Sequence, residues 1–269
     1  MNTLLSRKQN PNAEGRIQNI TPKIANWKYV GFDFFILRAG QILERDTEDR
    51  EVCLVMVSGK GKVKTIHESW SNLDNRMCIF SDNLGSKSSA PHAFYVPNND
   101  YFSVEAETEL ELAVCSAPGK GNFAARLIKP ENMTYEKRGH GTNTRYICNI
   151  LPEEAEADSL LVVEVITPNG NWSSYPPHKH DSNNIPDESY LEETYYHRIN
   201  PPQGFAFQRV YTDDRSIDQT MTVHDHDVVL VPRGYHPVGT PHGYDLYYLN
   251  VMAGPSRAWR FSNDPKHEW

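Results

Sequence analysis

Apolar residues along the 269-residue chain fall in short runs, β-branched or aromatic, each closed by turn residues. FDFFIL at 32–37, VCLVMV at 52–57 and LELAVCS at 110–116 mark the first half. LLVVEVIT at 160–167, FAFQRVY at 205–211, DVVLVP at 227–232 and YDLYYLNVMAG at 244–254 mark the second. Runs of this length between turn signals predict the strands of an all-β sandwich or barrel. No long stretch sustains a helical period; 124–127 and 186–192 have room for single turns. The 18 prolines, 16 glycines and 14 tyrosines agree, because Pro and Gly interrupt helices and aromatic side chains suit pleated sheets.

The chain also repeats itself. AFYVPNNDYFSV at 93–104, followed by ELELAVCSAPG at 109–119, parallels VVLVPRGYHPV at 228–238, followed by DLYYLNVMAGP at 245–255. Each copy reads strand, Val-Pro turn, then a second strand closing on small residues. An internal repeat is the mark of a duplicated unit. Two tandem barrels are therefore expected, over residues 1–135 and 136–269, joined through the polar segment ENMTYEKRGHGTNTRY at 131–146.

Charge narrows the class of partner. A formal net charge of -8 argues against a surface that neutralises phosphate, so nucleic acid is not expected. The stretch Met1 to Ile20 is polar, with no apolar run suited to a signal peptide or a membrane span. The four cysteines lie far apart, three of them amid apolar neighbours, without metal-site or redox spacing. A cytoplasmic protein with reduced thiols and no membrane contact is expected.

The chemistry concentrates in the second half. PPHKHD puts His178 and His180 two residues apart in an expected strand, where alternate side chains share a face, and turns Lys179 away. A carboxylate follows in LEETYYHRI, and His236 sits in VPRGYHPV just after a buried strand. Glu192 and Glu193 are adjacent, so only one of them can reach an ion shared with the histidines. Three imidazoles and a carboxylate suit Zn, Mn or Fe rather than Ca or Mg. His224 and His226 have the same two-residue spacing but fall in an expected solvated turn, and His242 lies in another turn, TPHGYD. His197 and Tyr195 share a strand face with Glu193.

The order His-x-His, Glu, then Pro-turn-His on a late strand resembles the cupin metal motif. Its presence in one of two repeats resembles a bicupin, a pair of jelly-roll barrels. The longer words SSYPPHKHD, EETYYHRINPPQGFAFQRVY and VPRGYHPV with the trailing YDLYYLNVMAGP resemble the 5-deoxy-glucuronate isomerase family along nearly the whole chain. That resemblance implies one divalent ion, zinc first with Mn or Fe as alternatives, held by His178, His180, Glu193 and His236. Glu193 is chosen because the second Glu of the cupin EE-x-YY pattern takes the ligand position. The Glu follows His180 by twelve or thirteen residues, more than the general motif allows, and the insertion DSNNIPDESYL accounts for it. The first copy carries no His-x-His, and Tyr101 or Phe102 stands near the place of His236.

The implied reaction is an aldose–ketose isomerisation of a sugar acid, 5-deoxy-D-glucuronate to 2-deoxy-5-keto-D-gluconate, in myo-inositol breakdown. Glu192, His197 and Tyr195 are the candidates for the proton shuttle such a reaction needs. Arg209, with Gln208 beside it, is the candidate for the substrate carboxylate, although alternation lets only one of the two face inward. The competing readings are the 5-dehydro-4-deoxy-glucuronate isomerase of pectin breakdown, a bicupin iron dioxygenase, and a sugar-binding bicupin without catalysis. Cupin edges often pair with neighbouring chains, so a homo-oligomer belongs to the expectation.

Overall fold

The computed structural model describes residues 4–80 and 89–268. Its strands assemble into two units with one spatial order. The large sheet of the first unit runs Arg126–Ile128, Ala93–Val96, Arg50–Ser58, Leu110–Pro118, Gly31–Leu37, Arg16–Ile20. That of the second runs Leu5–Ser6, Val228–Val231, Glu192–Asn200, Asp245–Ala253, Leu161–Thr167, Arg145–Leu151, Thr134–Arg138. A four-stranded sheet backs each of them: Ile42–Asp46, Tyr101–Ala106, Gly61–Thr65, Ser69–Trp70 in the first, and Trp172–Ser173, Val238–Gly239, Ala206–Tyr211, Asp218–Val223 in the second. The all-β architecture is as the apolar runs predict, and the repeat extends to five strands of each large sheet and to the four-stranded sheets, while the edges of the large sheets differ.

All seven predicted runs are strands. Of the stretch 124–127, which has room for a single helical turn, residues 126 and 127 instead belong to the edge strand Arg126–Ile128. Among the described residues the one α-helical turn is Pro22–Ala25, where the Thr21 hydroxyl accepts from the Ile24 N–H and Pro22 opens the helix. Four residues are too few to show a helical period. No helix among the described residues is long and apolar enough to cross a membrane. The cysteines are free; Cys53, Cys115 and Cys148 are buried and Cys78 is exposed.

Three apolar cores follow from strand alternation. One fills the first barrel around Leu54, Phe94 and Phe102, and a second fills the other barrel around Tyr195, Val229 and Tyr248. The third lies between the two large sheets, where Phe34, Cys53 and Ala113 meet Tyr196, Tyr247 and Val251. Both large sheets are thus buried on two faces, which is why their strands read as nearly continuous apolar runs.

The division expected at residue 135 falls inside the strand Thr134–Arg138, which pairs with Arg145–Leu151. The chain also begins in the second unit's sheet, Leu5 and Ser6 pairing with Val229 and Val228.

Two glutamates tie the units together reciprocally. Glu51 of the first unit accepts from the backbone N–H groups of Asp158, Ser159 and Leu160 at 2.6–2.7 Å. Glu192 of the second accepts from Lys28, Tyr29 and Val30 at 2.7–3.1 Å. The ladders show these two to be equivalent: Glu51 pairs with Ala117, and Glu192 with Ala253, at matching points of the repeat. The next residue along is Val52 in one unit and Glu193 in the other.

A buried fork-to-fork pair adds to the junction, Arg76 Nη1 and Nη2 donating to Glu164 at 2.8 and 2.7 Å. Removing one partner strands a buried charge, whereas removing both does not. Arg76→Met should lower unfolding stability by about 3–5 kcal/mol, and Arg76→Met with Glu164→Leu should recover most of it. Equal losses in the single and double variants, measured by chemical denaturation, would show the pair to carry no such penalty.

Candidate metal centre

The site is built on the central strand Glu192–Asn200, the loop before it and the turn after Val228–Val231. Glu193 lies in mid-sheet, paired with Val231 on one side and Met252 on the other. Its side chain enters the second barrel and is 2 % exposed. The insertion between His180 and Glu193 folds back on itself. The Leu191 N–H donates to the His180 carbonyl at 3.0 Å, and His180 Nδ1 donates to the Leu191 carbonyl at 3.1 Å. The twelve-residue detour therefore returns the chain to its start and sets His180 against Glu193.

His236 arrives from the turn after Val228–Val231. Gly234 has φ +92°, and a Cβ there would stand 2.5 Å from the Tyr211 carbonyl oxygen, so glycine is required. The Gly234 carbonyl accepts from His236 Nδ1 at 2.8 Å, and the Gly234 N–H donates to Asp181 Oδ2 at 3.0 Å. Lys179, on the opposite face from the histidines as expected, holds Asp181 and Glu188 at 2.7 and 3.1 Å. This network, which sequence reading did not find, fastens the His-x-His segment to the turn that carries His236.

The ligating atoms of His180, Glu193 and His236 lie within 4.8 Å of one another, all three residues being buried. Glu193 Oε2 is 3.0 Å from His180 Nε2 and 3.3 Å from His236 Nε2. Because each Nδ1 donates to a carbonyl, each neutral Nε2 carries a lone pair. Two lone pairs and an anionic oxygen thus converge, and His236 Nε2 has no hydrogen-bond partner. A proton on one nitrogen relieves one contact, whereas a metal ion relieves all of them. Two of the separations, 3.0 and 3.3 Å, are close to the roughly 3.4 Å between ligands that stand about 2.1 Å from a tetrahedral ion.

Electrostatics agree with a cation. Burial pushes His236 down to about 3, so it is neutral and able to ligate. Burial likewise pushes His178 down to about 3. For His180 burial opposes protonation, but the hydrogen bond and charge of Glu193 outweigh it and raise the pKa.

The structure sorts the remaining candidates. His178 stands beside the triad, its ring centroid 4.8 Å from that of His236 and 4.7 Å from that of Phe261. Tyr195 is buried in the same barrel, ring 5.6 Å from His236, its hydroxyl 2.9 Å from Ser174 Oγ. His197 lies behind Tyr195, their rings stacked at 6.0 Å, with Nε2 3.0 Å from Gln208 Oε1. Gln208 is inward and fully buried, and Nε2 reaches the His236 carbonyl at 3.4 Å.

Two candidates lie elsewhere. Glu192 faces the junction between the units, where three backbone N–H groups occupy its oxygens, so it has no access to the second barrel. Arg209 faces outward, because Gln208 takes the inward place. Its guanidinium donates to both oxygens of Asp218 at 2.8 Å and covers the Tyr211 ring. His226 also departs from expectation: it occupies a turn but is buried, with Nδ1 2.7 Å from the Tyr196 hydroxyl. His242 is exposed, as its turn signal implies.

A tandem pair of double-sheet barrels, the second holding a buried His/Glu cluster that could take a metal ion, defines a bicupin. The chain belongs to the KduI/IolB family, whose model matches residues 4–269. It is 58 % identical over 269 residues to a 5-deoxy-glucuronate isomerase of Geobacillus thermodenitrificans, covering 100 % of this chain and 96 % of that one. A 5-deoxy-glucuronate isomerase of Bacillus subtilis strain 168 is 47 % identical over 94 % of this chain and 92 % of its own. Among solved structures, an IolB-like protein of Salmonella typhimurium LT2 superimposes with a TM-score of 0.94 at 51 % identity, covering 100 % of this chain and 99 % of that one. An oxalate decarboxylase of Lactobacillus farciminis, 12 % identical with a TM-score of 0.65 and covering 99 % of this chain and 90 % of its own, shares the fold.

The two neighbouring glutamates offer a direct test. Glu193→Gln should abolish stoichiometric divalent-ion binding in equilibrium dialysis, while Glu192→Gln should retain it and lose stability in the same denaturation assay. The opposite pattern would assign the ion to Glu192.

Proposed function

We propose that this chain is a metal-dependent aldose–ketose isomerase that converts 5-deoxy-D-glucuronate to 2-deoxy-5-keto-D-gluconate in myo-inositol breakdown. The observation that carries the reading is full-length identity of 58 % to a curated enzyme of that name. The buried convergence of His180, Glu193 and His236 supports it with chemistry of the right kind. The names of the relatives favour this substrate over the pectin-derived uronate, and they favour isomerisation over oxygen chemistry or binding alone. A cytoplasmic location is part of the reading.

The proposed ligands are His178, His180, Glu193 and His236, with zinc as first choice and Mn or Fe as alternatives. A bound divalent ion supplies Lewis-acid stabilisation to the negative charge that develops on the carbonyl and hydroxyl oxygens of the sugar. In the reaction the proton on C2 moves to C1, and the hydroxyl proton on O2 moves to O1, so atoms and charge balance.

The chain's own groups do the rest. Neutral His178 and His236 keep lone pairs available at pH 7. Burial raises the Tyr195 pKa well above its ordinary value, so the phenol stays protonated and serves as a hydrogen-bond donor to a substrate oxygen. His197 and Gln208 back this arrangement, His197 being neutral because burial lowers it to about 4. The apolar barrel wall keeps bulk water from the reacting carbons.

Purified protein should isomerise 5-deoxy-D-glucuronate, lose activity on chelation and regain it with one particular divalent ion. Turnover of 5-dehydro-4-deoxy-glucuronate alone, or oxygen uptake without isomer, would sink the reading. Tyr195→Phe should lower kcat about 100-fold with metal content unchanged; an unaltered kcat would remove Tyr195 from the reaction.

A further inference from the structure

A sugar acid gripped at its aldehyde end by the cation site still carries a negative charge at the other end. A carboxylate inside an apolar barrel requires a charged or multiple hydrogen-bond partner. Arg209 cannot supply it, being outside and already paired with Asp218.

Arg145 has the required place. It opens the strand Arg145–Leu151, two residues before Ile147, whose side chain belongs to the second barrel's core. Alternation sends both to that face. Its electrostatic neighbours are Tyr248, Arg138, Glu136 and Tyr195, and its charge, like that of Arg138, acts on His178, which puts it at the His178 end of the barrel. The adjoining turn is tied to the same end: Asn143 Nδ2 donates to the carbonyl of Tyr175, three residues before His178.

The guanidinium is almost without partners. Arg145 is 7 % exposed, yet its one hydrogen bond among the described residues runs from Nη1 to the Asn143 carbonyl at 3.1 Å. No carboxylate among the described residues forms an ion pair with it; nearby Glu136 is taken by Arg138. The comparison within this chain is Arg76, 8 % exposed, which makes two hydrogen bonds to Glu164 and two to backbone carbonyls. The register that pairs Tyr146 with Ile166 puts Thr167 beside Arg145, and the Thr167 hydroxyl is buried without a partner. Burying an unpaired guanidinium is costly. A fold bears that cost where a ligand brings the counter-charge.

We propose that Arg145 binds the substrate carboxylate, its planar fork selecting a sugar acid over the neutral aldose. This rests on the isomerase reading, and it adds the group that sets specificity for the acid. A forked Arg–carboxylate contact in a partly dry pocket is directional, so lysine replaces it incompletely.

The test compares the metal-loaded wild type with Arg145→Met and Arg145→Lys. KM and kcat for 5-deoxy-D-glucuronate are measured together with the inhibition constant of 5-deoxy-D-glucose, which carries a hydroxymethyl group in place of the carboxylate. Arg145→Met should raise KM about 10- to 100-fold, with kcat within a few-fold. Its metal content, melting temperature and inhibition by the neutral sugar should be unchanged, and Arg145→Lys should fall between. A wild type without isomerase activity overturns the functional reading and this proposal together. An active wild type whose KM survives Arg145→Met overturns the carboxylate role alone. Equal loss of acid and neutral sugar binding, or loss of metal or fold, makes Arg145 structural and also overturns it.

Discussion

The alternation of side chains along Glu192–Asn200 is the constraint on which the molecule turns. This strand is shared by two cores, so its odd and even residues serve different parts of the protein. Glu193, Tyr195 and His197 enter the second barrel, while Glu192 and Tyr196 enter the junction between the units. A slip of one residue would exchange Glu193 for Glu192 at the histidines. The reciprocal contact at Glu51 acts at the equivalent point of the first unit, where Val52 takes the place of Glu193 and the barrel is filled with apolar side chains.

The cluster of His180, Glu193 and His236 gains its character from burial as much as from residue type. Carbonyl partners fix the tautomers of His180 and His236, and the dry surroundings keep His236 neutral. What remains at the centre is the Glu193 carboxylate facing two imidazole nitrogens, of which His236 Nε2 has no hydrogen-bond partner. Lys179, Asp181 and Glu188 stabilise this arrangement from outside by fastening the two segments that deliver the histidines. Arg145 is the complementary case, a donor with too few acceptors, at the same end of the same barrel.

Much of this was legible in the chain. Short β-branched and aromatic runs marked the strands, because a strand buried on both faces has little choice of residue. The Val-Pro repeat marked the duplication, because both copies make the same turn between the same sheets. His-x-His, Glu and a turn histidine pointed to the residues that the fold gathers, His180, Glu193 and His236, because few other arrangements use that residue set. The fates of Arg209 and Gln208 were not legible: alternation said that one would face inward but not which. His226 was misread as solvated because a turn at the surface of one unit is covered by the other.

The amino-acid sequence by itself determined the all-β class, the duplication and the residue types available to a cation, since these depend on local periodicity and composition. Tertiary structure alone decided which of the neighbours Gln208 and Arg209 is inward, and which arginine is left without a counter-ion. Those outcomes depend on strand register and on what packs across from each face, contacts between residues far apart along the chain that no local pattern encodes.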